Sequence, residues 1–364
     1  MSQRTVSSVL VLATILTTAF AQGGGPPDGG RGGRWQRGQR GGDAAPAKLE
    51  CFTYEQGSFK SDKAKDADPG YAIFLPVGYA DEANKDKKYP WAIWLHGFGG
   101  FGEFQQGGGA QVLDQLRKAD KIPEMALVVF RAPGSRTTYL NGEAGGDIED
   151  IIIGDLLVRL QEKYRLKSDR ASRALMGVSM GGMGALKIAM HHPEVFGAVA
   201  VHSAAILPVD PSDLPQNYQR QVDMMMQRGG LAAVFGDPID KKKWAHEMPL
   251  SLAEETKPDV LKGLNIYFDA GTEDRYGFCP PNEQLDKVMT AQGIVHVFTK
   301  VAGGGHAWSS PKMKENLAAS LQFVGASVTG KDPMTRPAAL RQDEPAKEPA
   351  KEPAKEPAKA GEGK

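Results

Sequence analysis

The stretch Arg173-Ala174-Leu175-Met176-Gly177-Val178-Ser179-Met180-Gly181-Gly182 decides how this chain reads. Its first half is a short apolar run, as in a buried strand, and the residues that follow, up to Met190, form a helix stopped by Pro193. A serine on the bend between them is pushed out to solvent at the top of a sheet. The turn is so sharp that the residues two before and two after the serine approach other backbone, which calls for Gly177 and Gly181. This is the pattern of a nucleophile elbow, and the first helical turn beyond Ser179 offers unpaired N–H groups for a developing oxyanion. Gly-x-Ser-x-Gly alone means little in a chain with 44 glycines. The strand before it and the helix after it give it weight.

Outward from the elbow, strand and helix signals alternate. Trp91–Leu95, Met125–Phe130, Ala198–Val201, Asn265–Phe268 and Val295–Phe298 are apolar or β-branched runs, as expected for strands covered on both faces. Helical patterns lie between them at Gln111–Ala119, Asp147–Tyr164, Asn282–Ala291 and Pro311–Val324; the third starts beyond a Pro-Pro pair and the last is capped by Ser310. The alternation predicts an α/β fold, a mostly parallel central sheet with helices on both faces. Residues 207–263, with Met224-Met225-Met226 and no clear strand, read as a cap-like insertion after the sixth strand.

The 44 basic and 44 acidic residues cancel, so nothing global points to nucleic acid. Arg4, the apolar run from Val9 to Phe20 and the small-residue ending Ala19-Phe20-Ala21 predict a signal peptide over 1–21, and hence a periplasmic or extracellular protein. No later run approaches the roughly 20 apolar residues of a membrane span. Residues 22–46, with Arg31-Gly32-Gly33-Arg34-Trp35-Gln36-Arg37, read as a Gly/Arg/Pro-rich disordered linker, and four tandem EPAK units from Glu344 onward make 330–364 an extended tail. The catalytic domain is therefore expected over 47–329. Export permits a disulfide between the two cysteines, Cys51 and Cys279, or leaves two separate thiols.

An activated serine needs a base and an orienting acid, in the order serine, acid, histidine for this fold class. Of seven histidines, His96 precedes the elbow, His191 and His192 end its helix, His202 follows the sixth strand, His246 lies in the cap and His296 in a strand. His306 follows the last strand within Gly303-Gly304-Gly305-His306-Ala307-Trp308 and is the expected base. Asp274, past the Gly271 turn after the seventh strand, is preferred as the acid over Asp269 at the strand end. His96-Gly97-Phe98-Gly99-Gly100 directly after a strand matches an oxyanion loop, with the N–H groups of Phe98 and Met180 as donors.

These motifs, together with Asp147-Ile148-Glu149-Asp150-Ile151-Ile152, His192-Pro193-Glu194-Val195-Phe196-Gly197 and Gly271-Thr272-Glu273-Asp274, resemble the esterase D and feruloyl esterase-like group of α/β-hydrolases from about Tyr71 to Val324. The resemblance implies Ser179 as nucleophile, Asp274 as acid and His306 as base. It departs at Arg275-Tyr276, where many relatives carry two large apolar residues, and at Ser310-Pro311, where feruloyl esterases often carry a second tryptophan; both bear on acyl specificity. The expectation is an exported serine carboxylesterase working through an acyl-enzyme, without metal or organic cofactor, on feruloyl or acetyl esters of polysaccharides. An acyltransferase of the mycolyltransferase type and a non-catalytic envelope-associated binding protein are the alternatives. Oligomeric state has no signal in the sequence.

Overall fold

The computed structural model describes residues 46–333, apart from 66, 135–136, 215, 217–218, 220–221, 224–225, 227–230 and 308–310. The expected signal peptide, the linker, nearly all of the EPAK tail, the Ser310 cap, Met224 and Met225 lie outside the described residues.

Eight strands form one sheet in the order β1-β2-β4-β3-β5-β6-β7-β8. The strands are β1 (Phe52–Ser58), β2 (Gly70–Pro76), β3 (Trp91–Leu95), β4 (Ala126–Arg131), β5 (Arg173–Val178), β6 (Ala198–His202), β7 (Asn265–Gly271) and β8 (Val297–Val301). β2 pairs antiparallel with both β1 and β4, and every other pairing is parallel.

Side-chain alternation explains why the parallel strands are apolar throughout. On β3, Trp91, Ile93 and Leu95 enter one core cluster while Ala92 and Trp94 enter the other. β6 divides likewise, Val199 and Val201 against Ala198 and Ala200. The first face is covered by α3 (Ile148–Asp150) and the π-helical and α-helical turns that continue it to Lys163, by α5 (Met180–His191), and by later helices through Leu250, Leu285 and Met289. The second is covered by α1 (Glu103–Gln106), α2 (Gly109–Lys118) and the helix Pro311–Ser327 through Phe104, Leu113, Leu317 and Leu321. In chain order α4 is Leu157–Lys163, and α6 (Leu231–Phe235), α7 (Lys241–His246) and α8 (Pro249–Glu255) make up the insertion between β6 and β7; α9 is Cys279–Gln292 and α10 is Pro311–Ser327. A third apolar cluster, with Phe235, Trp244 and Met248, packs this insertion onto Met180 and Met183 of α5.

Several expectations are corrected. β8 starts at Val297, so His296 lies before the strand, its Nε2 2.9 Å from Asp286 Oδ1. Pro280 and Pro281 sit inside the first turn of α9, where a missing N–H leaves no intrahelical bond unmade. The long helix after Asp147 carries a π-helical segment at Ile151–Leu156. Both cysteines are free thiols, which decides against the bridge. No helix among the described residues is long and apolar enough to cross a membrane.

Candidate active site

Ser179 occupies the bend between β5 and α5 with φ 56° and ψ −120°, a conformation that costs a non-glycine residue about 1–3 kcal/mol. The surroundings hold it there. Its N–H donates to His202 O at 2.9 Å, and its carbonyl accepts from Ala205 N at 2.9 Å and Met183 N at 3.1 Å. A Cβ on Gly177 would stand 2.3 Å from Gly181 O, and one on Gly181 2.1 Å from Leu95 O. Only glycine fits at either place, as the sequence pattern requires.

The structure brings Asp274 and His306 together. Asp274 Oδ2 lies 2.8 Å from His306 Nδ1, with the carboxylate fully buried and the imidazole 14% exposed. With Nδ1–H donating to the carboxylate, Nε2 carries the lone pair of a base. Asp274 Oδ1 accepts the Tyr276 N–H at 2.8 Å, and a tight turn donates Gly277 N to Asp274 O. The base loop crosses the acid loop at backbone contact, since a Cβ on Gly271 would meet Gly304 O at 2.2 Å. Glu273 N donates to Gly304 O at 2.8 Å, and Ala307 N to Ser203 Oγ at 3.0 Å. Ser203 directly follows His202, the residue that anchors Ser179, so one corner of the β6 end positions both Ser179 and the loop of His306.

His96 is buried, its Nδ1 2.8 Å from Gly97 O, and burial lowers its pKa, which favours the neutral ring. The loop it opens passes over the elbow. A Cβ on Gly97 would lie 3.1 Å from Ser179 Cβ. Tyr139, buried with φ 62°, donates its hydroxyl to His96 O at 2.7 Å and packs so closely on α5 that a Cβ on Gly184 would meet its side chain at 2.7 Å. Among the described residues no backbone acceptor takes the N–H of Phe98. Met180 opens α5, where an N–H has no intrahelical partner. The rings of Tyr276 and Phe278 flank His306 at 4.6 and 5.6 Å between centroids.

Residues 63–323 match the model of the Esterase family, described as "Putative esterase". The chain belongs to this family. An endo-1,4-beta-xylanase/feruloyl esterase of Xylanibacter ruminicola is 30% identical over 135 residues, 34% of this chain and 18% of that protein. Esterase Rv1288 of Mycobacterium tuberculosis is 23% identical over 252 residues, 65% of this chain and 52% of that protein. The chain thus spans about half or less of these curated relatives. Among solved structures, a ferulic acid esterase superposes with a TM-score of 0.61 at 23% identity, over 76% of this chain and 99% of that one. The fold is that of the α/β-hydrolases.

Two features of this esterase escape sequence reading. Below the site, His202 Nδ1 lies 2.7 Å from Asp269 Oδ2 and Nε2 2.8 Å from Ser320 Oγ, all three residues almost wholly buried. This serine-histidine-aspartate set has the contacts of a charge relay but no access to solvent. It anchors the ends of β6 and β7 to α10. Asp269 is thereby a support, its carbonyl accepting the Ser203 N–H at 2.8 Å, and not the partner of His306. The second feature is Lys187 on α5, fully buried, with its ammonium hydrogen-bonded to Tyr139 O and the Glu149 carboxylate and ion-paired with Glu247 at 3.0 Å. Spacing gives no hint of either set, because their members lie far apart in sequence.

Proposed function

We propose that this chain is an exported carboxylesterase in which Ser179, His306 and Asp274 act as nucleophile, base and orienting acid. The observation that carries the reading is the 2.8 Å Asp274–His306 contact together with a serine held in a strained elbow, the elbow bonded to His202 and the His306 loop to Ser203 at the same end of β6. Ser179 Oγ attacks the ester carbonyl while His306 Nε2 takes its proton. The tetrahedral oxyanion is stabilised by the N–H groups of Phe98 and Met180, each donor of this kind being worth about 3–4 kcal/mol. The C–O bond to the alcohol breaks, the alcohol leaves with the proton from His306, and Ser179 is left acylated. Water then attacks the acyl carbon, gives a proton to His306, and the acid departs as Ser179 Oγ is reprotonated.

For the acyl group we favour aromatic or acetyl esters of polysaccharides. Support comes from the Tyr276 and Phe278 rings at the base, stacked on each other at 5.9 Å, and from the apolar cluster of Met180, Met183 and Leu140 beside them. The feruloyl esterase named among the relatives agrees with this choice. The leader pattern over 1–21 supports export, and residues 47–329 are taken as the catalytic domain between two spacer tails.

The test is hydrolysis of p-nitrophenyl acetate, methyl ferulate and acetylated xylan with and without Ser179→Ala. Turnover lost in the variant is expected, with the preferred ester naming the substrate class. Turnover that survives Ser179→Ala sinks the nucleophile assignment. Acyl groups passed to an added sugar in preference to water would move the reading to an acyltransferase.

A further inference from the structure

Glu103 is the first residue of α1, immediately after the oxyanion loop, and its side chain folds back under that loop. Its Oε2 accepts the Gly97 N–H at 2.7 Å. A Cβ on Gly97 would fall 3.2 Å from the same oxygen and 3.1 Å from Ser179 Cβ, and a Cβ on Gly99 would fall 2.9 Å from Oε1. The carboxyl group therefore lies within the curve of Gly97-Phe98-Gly99, on the side where the loop meets the elbow. The two glycines leave it room; any side chain at either position would displace it.

We propose that Glu103 is a positioning residue of the reaction, fixing the oxyanion loop through the Gly97 N–H. The proposal rests on the assignment of Ser179 and His306 made above. Its logic is that of hydrogen bonds in series. With the Gly97 N–H held by a charged acceptor, which bonds about twice as strongly as a neutral one, the next peptide is oriented and the Phe98 N–H is left for the substrate oxyanion. A carboxylate cannot itself donate to that oxyanion, so it acts only through the peptide it holds.

The titratable groups that share electrostatic interactions with this carboxyl are Tyr139, with Glu143 behind it on the segment after β4, and His306; His96 opens the loop it holds. Burial raises the Glu103 pKa, while the Gly97 N–H and the positive charge available on His306 pull it down.

The experiment compares Glu103→Gln, which keeps an acceptor for Gly97 but removes the charge, with Glu103→Ala, which removes both, in protein whose thermal melts match wild type. Glu103→Asp replaces the alanine variant if that one does not fold. In Glu103→Gln, whose amide oxygen still accepts from the Gly97 N–H, kcat on p-nitrophenyl acetate is expected to stay well above that of Glu103→Ala, a rescue that loss of packing alone would not give. In Glu103→Ala, or in its aspartate replacement, kcat on p-nitrophenyl acetate is expected to fall by about 100-fold with little change in KM, as for loss of one oxyanion donor. An undiminished kcat in Glu103→Ala, or equal losses in Glu103→Gln and Glu103→Ala, overturns the proposal. Failure of the esterase reading would appear elsewhere, as turnover retained by Ser179→Ala, so the two outcomes are separable.

Discussion

Asp269 and Asp274 leave the same strand five positions apart in the chain, and each carboxylate sits under 3 Å from a histidine Nδ1. What separates their roles is the other ring nitrogen. His202 Nε2 is spent on Ser320, buried under the sheet ends, whereas His306 lies in the loop that crosses the acid turn and is partly open to solvent. Asp274→Asn is therefore expected to lower kcat by about 10⁴-fold by favouring the wrong tautomer of His306. Asp269→Asn, whose amide oxygen still accepts from His202, is expected to move the urea midpoint more than kcat. Steady-state kinetics and denaturation of the two variants check this, and the reverse ranking would exchange the two aspartates. Sequence order narrows the acid to this one segment through the Gly271 turn. Which aspartate meets His306 depends on the crossing of the Gly271 and Gly304 backbones, a contact between residues 33 positions apart, by subtraction of their numbers. Glu103 gives even less signal: a single carboxylate beside a glycine-rich loop has no periodicity, and its partner is a backbone N–H.

The nucleophile helix α5 is the element on which the rest is built. Its N-terminus carries the elbow, its middle takes Tyr139 against Gly184, and its C-terminal half is tied by Lys187, His191 and His192 to Glu149 on α3 and Glu247 in the insertion. Burial would raise the Glu149 pKa, but hydrogen bonds from His191 and His192 and the Lys187 ammonium outweigh it and hold the carboxyl well below the usual range. The hydrogen bond to Glu149 in turn raises the His192 pKa against the effect of burial. The raised His192 pKa gives stability that is fully present below the unfolded value of about 6.5 and lost as pH rises through the folded value. The depressed Glu149 pKa gives stability present above about 4.3 and lost as pH falls toward the folded value. The urea midpoint of wild type is therefore expected to exceed that of His192→Asn most at about pH 5.5 and least at pH about 9. An equal difference at both would mean that the Glu149–His192 bond carries no charge. At this level the sequence is most readable where a strand is buried on both sides. β3, β4, β6 and β7 announce themselves as continuous apolar runs. β1 does not, because as an edge strand it alternates exposed Thr53, Glu55 and Gln56 with few buried residues. β8 starts later than its apolar letters suggest, since Val295 is 68% exposed and the pairing with β7 begins at Val297.

Among the described residues, the two core clusters on either face of the sheet and the third under the insertion hold most of the buried apolar residues. Removing residues 1–46 and 330–364 is expected to leave kcat/KM on p-nitrophenyl acetate within about twofold, because polar, Pro-rich and Gly-rich segments lack the apolar surface to build part of a core. A large loss in a folded truncated protein would give one of the tails a part in catalysis. The chain spans about half or less of its curated relatives, so the esterase fold alone is compared with them.

The central claim is that Ser179 is the one serine activated for attack. Treating the full chain with a fluorophosphonate probe and mapping the adduct by mass spectrometry tests it most directly. The account predicts one adduct per chain, on the peptide carrying Ser179, formed with loss of fluoride, and absent from both Ser179→Ala and His306→Gln. An adduct on another serine, or esterase turnover that persists in Ser179→Ala, would contradict it.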